Sequence, residues 1–262
     1  MRFAGRNVIV TGGGRGIGEA TARRFAAEGA DVLVLSRTEE QVAAVAEAIR
    51  AAGGRAWHAV GDVASAADVE RIVASAEERW GGRIDVLVNN AGVDHDCAFL
   101  DFPAAEWRRV IDVNLTGPFL VAQRVARVMT RCRSGAIVHV SSIDSLGADG
   151  TQVAYNASKA GLLGLSRTMA VELAPFGVRS TVINPGYVAT PLTRQYVGEA
   201  MYDYMTTRFA RVPQGRMATP DEIAGSILFL ASDDATHVNG IELTVDGGTT
   251  ANLYIVETLP DS

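Results

Sequence analysis

Residues 7–37, NVIVTGGGRGIGEATARRFAAEGADVLVLSR, read as strand, glycine turn, helix and strand. NVIVT and DVLVLS are short β-branched runs, nearly all apolar, of the kind that a parallel sheet buries on both faces. The Ala-, Glu- and Arg-rich segment between them is helical in character. The turn, Thr11-Gly12-Gly13-Gly14-Arg15-Gly16-Ile17-Gly18, joins the strand to the helix. Its glycines bring backbone N–H groups and a helix N-terminus against a pyrophosphate with no side chain in the way. The spacing departs from GxGxxG, and a merely tight βα turn is the alternative. The strand–turn–helix context favours nucleotide binding.

Outward from this unit the same alternation runs through the chain. AWHAV, IDVLVNN, AIVHVSS, VRSTVIN and IELTVDGG are further strand-like runs, separated by helical segments such as EEQVAAVAEAIRAAG. Alternation of this kind predicts parallel strands joined by crossover helices. With no repeat, linker or low-complexity segment in 262 residues, the expectation is one α/β domain over 1–262. That domain is a Rossmann-like doubly wound parallel sheet of about seven strands with helices on both faces. The net charge of −6 argues against nucleic acid or an anionic membrane as partner. Two cysteines, no CxxC and no cluster with the four histidines predict no metal site and a reduced, cytoplasmic setting. The first strand begins too early for a signal peptide, and no apolar stretch approaches a membrane span.

A carboxylate at the end of the second strand would hold an adenosine ribose 2′-OH and select NAD(H). This chain has Leu35-Ser36-Arg37 there, and Arg15 inside the glycine turn. Two guanidiniums and no acid suit a 2′-phosphate, so NADP(H) is expected over NAD(H). Glu39 and Glu40 keep NAD(H) open, as does the reading of both arginines as solvated surface charges.

The second decisive stretch is Ser142 to Lys159. Tyr155 and Lys159 are four apart in a helical segment and share one face. Ser142 stands where the run AIVHVSS gives way to a loop. A free phenol has a pKa near 10, and a phenolate near neutrality needs a shift of about 3 units, roughly 4 kcal/mol. A lysine ammonium about 4 Å away at an effective dielectric near 20 supplies that much.

TGGGRGIG, Asn89-Asn90-Ala91-Gly92, Asn114, Ser142, Tyr155-x-x-x-Lys159 and Pro185-Gly186 together resemble the short-chain dehydrogenase/reductase family, in its order and spacings. The resemblance runs to about Gly248 and includes 3-oxoacyl reductase-like members. It implies a ketone/secondary-alcohol oxidoreductase in which Tyr155 is the proton donor or acceptor. Lys159 then holds the ribose hydroxyls, and Ser142, rather than Ser141, orients the substrate oxygen. Asn114 is implied to hold a water that links the lysine to solvent. Asp62 and Val63 are implied to meet the adenine, though Asp62 read by itself serves equally as a helix cap, with Ser65 competing. Asn90, Ala91 and Gly92 would border the cofactor. Pro185, Gly186, the Val188 backbone and Thr190 would hold the nicotinamide carboxamide, with hydride leaving the pro-S face.

Residues 191–215, rich in Tyr and Met, read as a substrate lid, with ordinary packing as the alternative. Asp94, His95, Asp96, Cys97, Asp144, Ser145, Leu146 and Tyr187 are the expected pocket lining, although the Asp94–Asp96 run suits a solvated loop as well. The acidic residues fit a polar small molecule such as a sugar, polyol or polyketide-like ketone. Phe176, at a place often basic in carrier-protein reductases, lowers that reading, while Arg133 keeps it open. Small residues Ala157, Ala160, Gly161 and Gly164 on the Tyr155 helix, with the resemblance, imply a homotetramer or homodimer. The tail after VDGG, about 249–262, carries an apolar LYIV expected to dock on an interface. An NAD-linked sugar, polyol or cyclic-diol dehydrogenase and a non-catalytic nucleotide-binding regulator are the alternatives.

Overall fold

The structure, a computed structural model, describes residues 1–252. The docking expected of the tail from Leu253 onward lies outside the described residues.

The opening unit forms as its sequence dictates: β1 (Asn7–Thr11), α1 (Gly16–Ala27) and β2 (Asp31–Ser36). The alternation continues with α2 (Glu39–Ala51), β3 (Arg55–Val60), α3 (Ala66–Arg79) and β4 (Val86–Asn89). Next come α4 (Ala104–Ile111), a π-helical stretch at Asp112–Thr116, α5 (Gly117–Cys132) and β5 (Gly135–Val140). The chain then builds α6 (Val153–Leu173), β6 (Val178–Pro185), α7 (Pro191–Val197), α8 (Glu199–Thr207), α9 (Pro220–Ala231) and β7 (Glu242–Val245).

The seven strands form one parallel sheet in the order β3-β2-β1-β4-β5-β6-β7. Because side chains alternate along a strand, β1 sends Val8 and Val10 to one face and Ile9 to the other. The first face packs on α1, α2 and α9 through Phe25, Val45 and Ile227. The second packs on α3 and α5 through Ile72, Val125 and Met129. Burying each such side chain contributes about 1.5–3 kcal/mol, so the apolar strands fix the two-layered cover. This is the doubly wound architecture, and it reverses direction between β1 and β4. Ligands of such sheets bind at that switch point, beyond the carboxyl ends of the strands.

Candidate active site

A cleft of about 530 Å³ opens at those carboxyl ends. Its floor is the glycine turn. Gly12 takes φ +63°, and a Cβ there would stand 2.8 Å from the Ala91 Cα. A Cβ on Gly18 would stand 2.2 Å from the Gly12 carbonyl oxygen, so α1 can start this close to β1 only with glycine. Asn90 ties the turn to β4, its amide donating to the carbonyls of Thr11 (3.0 Å) and Gly12 (3.1 Å). The result is a turn of glycine backbone at a helix N-terminus, lining the cleft with no Cβ at Gly12, Gly14 or Gly16, chemistry that fits a pyrophosphate. Beyond it lie Ser36, Arg37, Asp62 and Val63 at the ends of β2 and β3. Arg37 stands 3.8 Å from the Asp62 carboxylate, while Arg15 forms no ion pair among the described residues. Ser65 caps α3 by accepting from the Asp68 N–H at 3.3 Å, so Asp62 is not that helix's cap. Instead, the Asp62 carboxylate accepts from the Ala64 N–H at 2.9 Å.

At the other end Ser142, Tyr155 and Lys159 converge. Ser142 follows β5, and α6 presents Tyr155 and Lys159 from its first turns. Ser141 turns away, its hydroxyl donating to the Lys159 carbonyl at 2.9 Å. Gly92 lines the cleft beside Lys159, where a Cβ would only reach ordinary contact with the lysine Nζ at 3.6 Å. Pro185, Gly186, Val188 and Thr190 form the wall that follows β6, and Thr190 also caps α7.

The electrostatics at this end differ from the expectation. The buried Lys159 ammonium donates to the Val140 carbonyl at 2.9 Å and lies 5.3 Å from the Tyr155 ring centre. Burial lowers its pKa to about 8, against the pull of Asp94 and Asp144. The Tyr155 phenol is pushed up rather than down. Burial is the main cause, the Asp144 and Asp94 carboxylates add to it, and the hydrogen bond with Ser142 opposes it. Burial also raises both carboxylates above their ordinary range.

Nearly all the sequence-predicted residues line the cleft; Gly18 and Asn114 stand behind it. Asn114 lies in the π-helical stretch, fully buried. Its amide oxygen accepts from the Val93 N–H at 2.8 Å, and its nitrogen donates to the Val93 carbonyl (2.8 Å) and to Ser158 (3.1 Å). Both amide hydrogens are thus committed to protein, and the side chain pins the loop after β4. Of the expected pocket residues, Asp94, Asp144 and Tyr187 line the cleft, whereas His95, Asp96, Cys97, Ser145 and Leu146 do not. His95 stacks edge-on with Phe102 instead, and its Nδ1 is 3.5 Å from Glu106.

Asp149, Gln152 and Tyr196 line the cleft without having been singled out. No local pattern marks them, because the loop before α6 must first meet α7 in space. Most aromatics of residues 191–215 pack in a small core, where Phe209 meets Tyr187 edge-on at 4.9 Å beside Met205 and Met217. Tyr196 is the exception, turned into the cleft and bonded to Asp94. Arg133 precedes β5 at the amino edge of the sheet, away from the cleft, and its guanidinium donates to the Pro175 carbonyl at 2.8 Å.

The chain matches the protein family described as Enoyl-(Acyl carrier protein) reductase over residues 12–250. It is 40% identical to an L-rhamnose 1-dehydrogenase (NAD(P)(+)) of Azotobacter vinelandii, covering 97% of this chain and 100% of that one. It is 37% identical to a 3-oxoacyl-acyl-carrier-protein reductase of Thermotoga maritima, covering 95% and 99%. Among solved structures, a gluconate 5-dehydrogenase of Burkholderia cenocepacia, in complex with NADP and tartrate, superposes with a TM-score of 0.89. That protein is 39% identical, and the match covers 96% of this chain and 98% of that one.

Proposed function

This chain belongs to the short-chain dehydrogenase/reductase family, and from that premise we propose that it interconverts a ketone and a secondary alcohol with NADP(H). The observation that carries the proposal is the convergence of Ser142, Tyr155 and Lys159 at one end of a cleft whose other end is a glycine turn at a helix N-terminus. When bound, the nicotinamide supplies or takes the hydride. The protein's part is to position the substrate and move one proton. Tyr155, held neutral by burial and by two carboxylates, is suited to give its proton to the oxygen of a ketone being reduced. Lys159, anchored on the Val140 carbonyl, keeps two hydrogens for ribose hydroxyls or water. Asn114 holds the neighbouring loop in place.

Arg15 and Arg37, with Ser36 in place of an acid, support NADP(H). The NADP bound by the Burkholderia relative and the NAD(P)(+) in the Azotobacter relative's name are consistent with it. Residues 191–215 form the lid of our reading, with Leu192, Tyr196 and Met205 among its contacts to the site. A homotetramer or homodimer is supported by the exposed small face of α6, where Ala157, Ala160 and Gly164 lead to a Val171 that is 76% exposed.

The test is a pair of fluorescence titrations with NADPH and NADH, followed by turnover on a ketone and alcohol panel. NADPH binding tighter by about ten-fold, or about 1.4 kcal/mol, with turnover of at least one panel member, is the expected result. Equal or tighter NADH binding overturns the cofactor assignment. Nucleotide binding with no turnover of any ketone or alcohol overturns the enzymatic one.

A further inference from the structure

Ser142 has one hydroxyl hydrogen, and Asp144 holds it. The Ser142 Oγ donates to the Asp144 Oδ2 at 3.0 Å and accepts from the Asp144 N–H at 3.1 Å. The Tyr155 phenol lies against the same hydroxyl, and its hydrogen bond with Ser142 opposes the rise that burial gives its pKa. Tyr155 can be drawn off by a substrate oxygen, since that is the group it protonates. Ser142 can turn its hydrogen to a substrate carbonyl only by abandoning Asp144. A half-buried carboxylate left without a donor is costly, by more than the value of an ordinary hydrogen bond. Ser142 is the donor on that carboxylate among the described residues.

A substrate can remove this obstacle if it brings a replacement donor. A hydroxyl on the carbon beside the reacting carbon reaches the space next to the carbonyl oxygen, where the Asp144 carboxylate stands relative to Ser142. Asp94 cannot serve as the acceptor so readily, because the His95 N–H (2.7 Å) and the Tyr196 hydroxyl already supply it. The charges around the reaction point in the same direction. Asp94, Asp144 and Asp149 stand at this end of the cleft against two cations, Lys159 and the Arg211 that pairs with Asp149 at 4.0 Å, so the balance is negative and disfavours a substrate carboxylate or phosphate.

We propose that Asp144 is a specificity-determining residue that selects neutral substrates with a hydroxyl on the carbon adjacent to the reacting one (α-hydroxy ketones and vicinal diols), by exchanging the Ser142 hydrogen for the substrate's. The inference deepens the oxidoreductase reading of the same cleft and rests on it. It separates this chain from carboxylate-bearing substrates such as gluconate, despite the likeness to a gluconate 5-dehydrogenase.

The experiment compares 2-hydroxycyclohexanone, cyclohexanone and 4-oxocyclohexanecarboxylate with the full chain and NADPH. In the unaltered protein, kcat/KM for the hydroxyketone is expected to exceed that for cyclohexanone by about ten-fold or more, with the carboxylate the poorest. In Asp144→Ala the ratio falls to within about three-fold, with cyclohexanone improved because Ser142 is released. Asp144→Asn keeps an acceptor without the charge, so it retains part of the ratio and relieves the exclusion of the carboxylate. A ratio near one in the unaltered protein, or a ratio that survives Asp144→Ala, overturns the proposal while leaving the oxidoreductase reading intact. If none of the three is reduced, affinities of the NADP+-bound protein for trans-1,2-cyclohexanediol and cyclohexanol decide it, and equal affinities overturn it. Failure to bind either nicotinamide nucleotide overturns both readings.

Discussion

The two ends of the cleft are built from opposite charges. At the glycine turn, Arg15 and Arg37 face one carboxylate, Asp62, and both guanidiniums are exposed. At the reacting end, three carboxylates stand against the buried ammonium of Lys159 and one exposed guanidinium, that of Arg211, which pairs with Asp149 at 4.0 Å. The first end is made of backbone and exposed arginines, and it gains by taking up an anion. The second is made of side chains from three separate elements, and it holds its charges half out of water. In the reading proposed above, the difference divides the labour: an anionic carrier is drawn to one end while an uncharged reactant is admitted at the other. Each end therefore responds to mutation through a different measurement.

The largest effect is expected from Tyr155→Phe. Removing a positioned proton donor costs about 10²–10⁴-fold in kcat, while NADPH affinity changes little because the ring remains. A loss of cofactor affinity as large as the loss of turnover would mean that the two ends are not separable. Next comes Arg37→Asp. A hydrogen bond to a charged group contributes about 1.5–3 kcal/mol, so NADPH binding weakens by roughly 10–100-fold while NADH binding holds or improves. Measured by titration at fixed salt, equal affinities before and after the exchange would make Arg37 a solvated partner of Asp62 and no more.

The glycine end was legible in the sequence because its logic is local. A β-branched run, a glycine turn and a helix are contiguous, and the close approach of Gly18 to Gly12 is what the spacing demands. Tyr155 and Lys159 were legible for the same reason, through the period of one helix. The reacting end was legible only in part. Asp149, Gln152 and Tyr196 come from a loop and a helix that meet only after folding. The direction of the Tyr155 shift is not legible in the sequence because it depends first on how deeply the phenol is buried, and then on Asp144 and Asp94, which reach it from different loops. The lysine was expected to serve the phenol, but its nearest partner is the Val140 carbonyl.

A third prediction tests the balance at the reacting end by pH. Lys159 has a folded pKa of about 8, below the ordinary lysine value of 10.5, because burial disfavours its charge. It is therefore charged below about pH 8 and loses its charge as pH rises through that value. The kcat/KM for NADPH, which reports the free protein, is expected to fall above that pH, approaching about ten-fold per unit. The profile of Lys159→Met should be low and should lack this limb. A wild-type profile level to pH 9.5 or so would mean that Asp94 and Asp144 keep the ammonium charged despite its burial.

The smallest effect concerns the support beneath that end, where the polarity does no chemistry. His139 on β5 is fully buried, and burial lowers its pKa to about 4. Its Nδ1 lies 3.3 Å from the Asn89 amide nitrogen, and its Nε2 has no partner among the described residues. The folded chain thus keeps this imidazole neutral in a range where the unfolded chain, with a pKa near 6.5, takes up a proton. Between about pH 6.5 and 4 the unfolded state binds more protons, so stability falls as pH falls. From pH 6.5 to 5.5 the loss is about 1 kcal/mol, which for a chain of this size lowers Tm by about 2–4 °C. His139→Asn removes the titration, so its Tm should fall by that much less than wild type over the same interval, with turnover per folded molecule unchanged. Parallel Tm curves would mean that the unfolded chain holds its histidine neutral too. A change in turnover would place His139 in contact with the reacting end, where the separation of a charged cleft from an uncharged support would break down.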